Sequence, residues 1–529
     1  MMQGWLWRYG WLFAWLVLIA TSFLVRGLLP IDETRYLGVA WEMWLRDDFL
    51  VPHLNAEPYS HKPPVLFWLF NAGWAVFGVN EWWPRLVAPL CALAALYLSR
   101  LMALRLWPER PQIAILAPWI LGGSLLWGGY TPMTMFDMPL VAVVMVALLG
   151  LLRAGKGHLL SGWLIVGLAI GVGILTKGPV TLLHIAFPAL LAPLWSETAR
   201  QRLLAWYGLL AGAILLGALV ALSWALPAAS AGGEAYAQAI LWHQTANRVV
   251  DSFAHTRPFW WYLPLLPVLL FPWLLWPALW RALKTLWKPH EPSVRFLLLW
   301  TIPTLIAFSL VSGKQPQYLL PLFPGAALLF ARALADDRQT ARRLDLILPA
   351  FFMAVIGVLL LLLPHLSIEK LPDTVHTVSS LWGIGIFVVV GTLLAWRWSK
   401  TGHGVVALSL SMTLVIALLL GAVFQAIGKI YDVRPAALFL SQLQQQGAAI
   451  AHLGKYHNQY QFLGRLEQPL TVIETSGLQT WADQHPDGYV VGYHRELPEE
   501  TGPQPAYIQP YRGQWLSIWP ARDVQPSLF

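Results

Sequence analysis

Cysteine is almost missing from this chain: Cys91 is the single one in 529 residues, and it sits in an apolar run. That excludes a disulfide framework and a thiolate metal site. Charge is scarce as well, at 12% of residues against 57% hydrophobic, with a mean hydropathy of +0.56. A soluble protein of this size cannot cover its surface from so small a stock of charge, so the bilayer must serve as its solvent. There is no Gly-rich phosphate loop and no His cluster of zinc-binding spacing, which argues against nucleotide-driven chemistry. Low-complexity tracts and fixed-period repeats are absent too. The formal net charge of +8 does not point to nucleic acid, because Lys and Arg are scattered between apolar runs instead of gathered in one basic domain.

Aromatic residues are plentiful. Thirty-one Trp and sixteen Tyr read as anchors at the headgroup level, where amphipathic rings are stabilised. Apolar runs of spanning length fall at 8–29, 84–106, 111–129, 133–152, 160–176, 178–195, 204–229, 259–280, 294–312, 316–334, 345–364, 380–397 and 403–427. They predict an all-α polytopic membrane protein of about 13 transmembrane helices. With the N-terminus cytoplasmic, eighteen Lys and Arg fall on inner connections and ten on outer ones, as the positive-inside rule requires. The first run lacks a small-residue cleavage site and reads as a retained helix.

An odd number of spans places everything after Lys429 on the outer side. Residues 430–529 are more polar, with a helix expected at 434–446 and β-type runs at 448–451, 469–473 and 489–493, so a small α/β outer domain follows a membrane unit of residues 1–429. Two outer loops, 30–84 and 230–258, are long enough to fold. In the first, 33–45 reads as helix and 47–62 carries turn formers. Pro63 and Pro64 suit the opening of a second apolar helix ending near Gly78. Such helices would lie along the interface and roof a cavity.

The charges able to do chemistry gather on that same side. Asp32 and Glu33 follow Pro30 at a helix start, where carboxylates are stabilised by the helix dipole. They read either as a cap with a solvated acid or as carboxylates at a cavity lip, able to take a proton or orient a donor. Lys62 precedes two prolines that fix the local backbone. It is a snorkelling anchor or a fixed positive charge for a phosphate. Asp137 lies just inside the end of a span, where a carboxylate costs about 2.5 to 3.5 kcal/mol, so it requires a partner or a polar cavity. Lys177 occupies a tight reversal between spans. Arg248, in the second long loop, supplies a planar fork suited to phosphate oxygens. Lys314 and Tyr318 come from another hairpin, and Tyr318 is by default an interfacial belt residue. Together these residues describe a cavity for an anionic ligand handled beside the bilayer.

The stretch Asp32-Glu33-Thr34-Arg35-Tyr36, followed by Pro52-His53-Leu54-Asn55, Tyr59 and Lys62-Pro63-Pro64, resembles the first outer loop of the bacterial aminoarabinose transferases of lipid A. These belong to the wider protein O-mannosyltransferase-like superfamily with the GT-C fold. Thr176-Lys177-Gly178-Pro179, the run from His243 to Arg248 and the run from Ser312 to Pro324 look like motifs of that family in the same order. The resemblance implies a multi-pass glycosyltransferase of the bacterial inner membrane, with its C-terminal domain periplasmic. Its donor would be a polyprenyl-phosphate sugar, expected to be undecaprenyl-phosphate-linked aminoarabinose, and its acceptor lipid A or a related periplasmic glycan.

By that resemblance Asp32 is catalytic and Asp137 a second carboxylate of the cavity. Lys62 and Arg248 hold the donor phosphate. Tyr59, Lys177 and Tyr318 line the cavity, and Glu33, His61 and Lys314 are further candidates for substrate contact. His61 stands where close members often carry Glu before the Lys-Pro pair, exchanging an acid for a group that titrates near neutrality. A divalent ion bridging Asp32 to the donor phosphate is an open alternative, against which the lack of a dense carboxylate and His ligand set argues. Two other readings stand beside this one. The first is a related GT-C enzyme with a mannosyl-type donor and a protein or polysaccharide acceptor. The second is a lipid or solute transporter, against which the gathering of charge at one face instead of the midplane argues.

Overall fold

A computed structural model describes residues 2–243, 256–286, 291–335, 342–366, 373–396, 400–496 and 503–525. The chain is a multi-pass helical membrane protein. Among the described residues, nine helices are long and apolar enough to cross a membrane, from Leu6–Val25 to Thr401–Gln445. The remaining spans expected from the sequence are shorter or broken helices. The run at 111–129 splits into Pro111–Gly122 and Leu125–Tyr130, and that at 259–280 into Tyr262–Leu269, a 3-10 turn and Pro277–Leu286. In the second case Pro267, Pro272 and Pro277 each withhold an amide N–H from the ladder. The runs at 178–195 and 380–397 contract to Val180–Leu190 and Leu381–Ala395.

Small residues let the spans approach closely. A Cβ on Gly162, in the helix Leu159–Lys177, would lie 2.5 Å from the amide nitrogen of Ala154 and 2.7 Å from the Gly150 carbonyl in the preceding helix, Asp137–Gly155. Without a hydrophobic force between helices in lipid, this backbone contact is what packs them.

The segment that matters for function begins after α1 (Met2–Val25). Helix α2 (Asp32–Arg46) is polar on one face and buries Tyr36, Leu37, Val39, Ala40 and Met43 on the other. It stops at Asp47, which is left-handed at φ 52°. A tight hairpin of β1 (His53–Leu54) and β2 (Glu57–Pro58) turns through Asn55 and Ala56, both at positive φ, and α3 (Val65–Phe77) starts directly after Pro64. The expected pair of helices flanking a turn-rich segment is therefore present.

Beyond the Thr401–Tyr431 helix comes the helix Arg434–Gln445 and then five strands: β3 (Ile450–Leu453), β4 (Thr471–Ile473), β5 (Tyr489–His494), β6 (Tyr507–Tyr511) and β7 (Gln514–Pro520). Their order is β4-β3-β5-β7-β6. β3 runs parallel to both β4 and β5, while β7 is antiparallel to β5, with Val491 opposite Ile518, and to β6. One apolar cluster joins this sheet to the membrane unit. It contains Tyr36 and Met43 of α2, Phe67 and Trp74 of α3, Phe136, and Leu440, Phe462 and Ile518 of the C-terminal region. Trp74 stacks on Phe462 with ring centres 5.2 Å apart.

His452 is buried in β3 among the rings of Tyr456, Tyr460 and Tyr493. Burial pushes its pKa down to about 4, so the folded ring stays neutral while an unfolded one protonates near 6.5. Stability from this group is complete above pH 6.5 and falls by about 1.4 kcal/mol per pH unit until pH reaches about 4. The opening free energy of residues 448–525, read from hydrogen exchange corrected for the intrinsic slowing of amide exchange at lower pH, should therefore fall between pH 6.5 and pH 4.5, and His452→Gln should flatten that dependence.

Candidate active site beside the juxtamembrane helices

The two adjacent acids at the start of α2 have opposite fates. Glu33 is buried. Its carboxylate accepts from Arg26 Nη1 at 2.6 Å, from the Leu29 amide at 2.8 Å and from the Thr134 amide at 2.6 Å. Arg26 in turn donates to Ser22 Oγ at 3.0 Å and to the Pro132 carbonyl. Arg85 comes in from the helix Trp82–Leu106 to the carbonyls of Ser22 and Arg26, at 3.2 and 2.9 Å. Glu33 is thus a clamp between α1, α2 and the segment leading to Asp137.

Asp32 points elsewhere. Its side chain is 49% exposed and pairs with Arg35 one turn along α2. Burial, with Asp32 adding to it, holds the neighbouring Tyr36 phenol well above its ordinary range, so Tyr36 is a neutral group at working pH. The Tyr36 ring meets Phe136 edge-on at 5.0 Å, Phe136 meets Phe67 at 5.6 Å, and Phe67 meets Tyr59 at 6.3 Å. This aromatic floor carries the cations. Lys62 Nζ lies 5.7 Å over Phe136, and the next residue, Asp137, binds Lys177 Nζ at 2.5 Å. Lys177 also sits 5.2 Å over the Tyr318 ring. The Tyr130 phenol donates to Gln317 Oε1 at 3.0 Å and is within electrostatic reach of Asp137, Asp32 and Tyr318. Two carboxylate–cation pairs, one half-exposed and one buried, therefore lie within electrostatic reach of the same phenol.

Of the other residues singled out in the sequence, Tyr59 is buried against His61, whose exposed ring lies 5.3 Å away. Lys314 is buried, with its ammonium donating to the carbonyls of Arg257, at 2.9 Å, and Val311. It closes a turn through these two contacts. Arg248 lies outside the described residues. No group of three or more His, Cys, Asp and Glu side chains suited to a metal occurs among the described residues.

Residues 61–224 match the family of dolichyl-phosphate-mannose-protein mannosyltransferases. The undecaprenyl phosphate-α-4-amino-4-deoxy-L-arabinose arabinosyl transferase of Pseudomonas paraeruginosa is 34% identical over 385 residues, 70% of this chain and 68% of its own. The chain belongs to this arabinosyl transferase family. The Pseudomonas aeruginosa enzyme of the same name is 33% identical over 384 residues, again 70% of this chain and 68% of its own. The fold matches the crystal structure of ArnT from Cupriavidus metallidurans bound to undecaprenyl phosphate, with a TM-score of 0.75 at 21% identity over 93% of each chain. The apo state of that protein gives 0.74 at 20% identity over the same shares.

Several members of the site escaped the sequence reading. Arg26 left a signal, since an arginine closing an apolar run must find a partner, and Glu33 lies seven residues on. Arg35 and Tyr36 were part of the motif without a role. Tyr130 and Gln317 left no signal, being 187 residues apart. Breaking the buried clamp by Arg26→Ala or Glu33→Ala should cost about 3 to 5 kcal/mol, because an uncompensated buried charge is left behind. Thermal unfolding in detergent checks this, and the half-exposed Asp32→Asn should cost about 1 kcal/mol or less.

Proposed function

We propose that this protein moves 4-amino-4-deoxy-L-arabinose from undecaprenyl phosphate to lipid A at the periplasmic face of a bacterial inner membrane. In this reading the N-terminus is cytoplasmic, residues 1–429 form the transferase unit and residues 430–529 a periplasmic unit. The observation that carries the reading is the pairing of family membership with two carboxylate–cation pairs gathered on one aromatic floor at the end of the bundle.

A polyprenyl tail stays in lipid while its phosphate meets cations at the membrane edge. An oxygen of a lipid A phosphate, already anionic at neutral pH, forms the bond to the anomeric carbon. The bond from that carbon to the donor phosphate oxygen breaks, and its electron pair leaves on undecaprenyl phosphate. No proton needs removing from such an acceptor, so positioning and charge stabilisation are what the chain supplies. Lys62 and Arg248 take the charge that grows on the departing phosphate, which strengthens their contacts in the transition state. Lys177, held by Asp137 over Tyr318, is a further cation on that side. Asp32 has a different task. The transferred sugar carries an ammonium at neutral pH, and Asp32 is the half-exposed carboxylate able to meet it, whereas Asp137 is buried against Lys177. A single displacement inverts the anomeric centre.

The match of residues 61–224 to the mannosyltransferase family favours one second reading. A neutral hexose donor and a hydroxyl acceptor would make Asp32 or Asp137 a general base. Mass spectrometry of lipid A and surface glycans separates the two. Cells with the protein should gain one aminopentose on lipid A, and Asp32→Asn or Lys62→Ala should lower the modified fraction by roughly a hundredfold in rate. A hexose increment on another glycan would select the second reading.

A further inference from the structure

Lys177 is placed by two partners that come from distant parts of the chain. Its ammonium binds the Asp137 carboxylate at 2.5 Å and lies 5.2 Å over the Tyr318 ring. Asp137 opens the helix Asp137–Gly155, whereas Tyr318 belongs to the 3-10 helix Pro316–Leu322. An ammonium on a flexible four-carbon stem keeps one position only if both partners stay in register with each other. The hydrogen bond of 3.0 Å from the Tyr130 phenol to Gln317 Oε1 connects the two elements.

Tyr130 ends the short helix Leu125–Tyr130, and the segment from there to Asp137 is fixed by the buried clamp. Arg26 donates to the Pro132 carbonyl, and the Thr134 amide donates to Glu33. One end of this fixed segment carries Tyr130 and the other carries Asp137. Across from it, Gln317 precedes Tyr318 in a helix whose successive side chains diverge by about 120°. Gln317 is buried against Tyr130, and Tyr318 is half-buried with its ring turned to Lys177. Gln317 spends its amide N–H on the Gln315 side chain, which leaves the carbonyl oxygen for Tyr130. The turn before the 3-10 helix is held by other groups. Lys314 donates to the carbonyls of Arg257 and Val311, and the Tyr262 phenol donates to the Gln315 carbonyl at 3.1 Å. Those contacts fix where the helix begins, and the Tyr130 contact lies one residue from the ring that Lys177 meets.

We propose that Tyr130 and Gln317 are positioning residues for Lys177: their hydrogen bond sets the rotation of the 3-10 helix, so that the Tyr318 ring and the Asp137 carboxylate together hold the ammonium on the side of the donor phosphate. The inference rests on the part given to Lys177 in the transfer reaction proposed above. Tyr130 and Gln317 act through Tyr318 and do not touch substrate. A cation that stabilises a departing phosphate works best when it is held in place before the charge develops, and the Tyr130 bond supplies that order from a segment already fixed by the Arg26–Glu33 clamp.

The test uses the full chain in detergent, with lysine isotopically labelled at its ε-carbon and read by NMR. Loss of a signal in Lys177→Arg identifies Lys177. The Tyr318 ring current shifts that signal, and Tyr318→Leu gives its position without the ring. Tyr130→Phe removes only the donor hydroxyl, and Gln317→Leu removes the acceptor. Each should move the Lys177 signal toward its position in Tyr318→Leu. Each should also weaken binding of undecaprenyl phosphate, measured directly, by roughly fivefold, the scale of one neutral hydrogen bond. The double variant should lose no more than Gln317→Leu alone, because the same bond is removed only once. A Lys177 signal that stays in place in both single variants, or binding losses that multiply in the double variant, would overturn the proposal. A displaced signal with undecaprenyl phosphate binding unchanged would uphold the positioning and overturn instead the donor-phosphate role of Lys177.

Discussion

The contact between Arg26 and Glu33 governs the geometry of everything around it. Both groups are buried at the end of a membrane bundle, where an unpaired charge costs several kcal/mol. They are held not by their mutual attraction alone but by a closed set of donors and acceptors from Ser22, Leu29, Pro132 and Thr134. That set fixes the angle at which α2 leaves α1, and it fixes the approach to Asp137 relative to both. Once Glu33 is turned inward, the helical rotation of one residue leaves Asp32 at the rim. Its exposure follows from its neighbour's burial.

The same economy appears wherever charge occurs in this charge-poor chain. Glu42 is spent on joining α2, the hairpin and the C-terminal region. Glu81 binds both Arg85 and Arg434, adding a second tie between the membrane unit and the last hundred residues. Asp345 takes a two-pronged contact from Arg281. Set against these, the groups on the aromatic floor are distinctive because they are grouped together, with Asp32 half in solvent and Lys62 and Lys177 lying over rings. A site for an anion drawn from lipid needs such cations at the membrane edge, held by apolar faces that exclude water.

The C-terminal sheet is part of this arrangement and not an appendage. Its apolar face is continuous with that of α2 and α3, and Trp41 donates its indole N–H to the Leu466 carbonyl at 2.9 Å. The family resemblance read from the first loop and the later motifs agrees with the relatives found. At His61, the chain places an exposed imidazole next to Tyr59, while the carboxylates Asp32 and Asp137 each have a cationic partner.

Periodicity and composition alone determined that the chain is helical and membrane-embedded, that α2 and α3 flank a turn-rich segment, and that a polar α/β region follows the last long helix. These features rest on local patterns of apolar residues, proline and charge. The strands β6 and β7 were not legible, because short strands with Pro510 inside the first and Gly513 between the two resemble loop, and the broken helices near Pro272 resembled a continuous span. Only the tertiary structure decided which acid of Asp32-Glu33 is buried, that Lys314 closes a turn, and that Tyr130 meets Gln317. It also decided that Asn458, 416 residues from Glu42, seats the C-terminal loop on Gly38. Each of these depends on a polar partner remote in the chain, and in a low-dielectric setting the partner determines what a charge does.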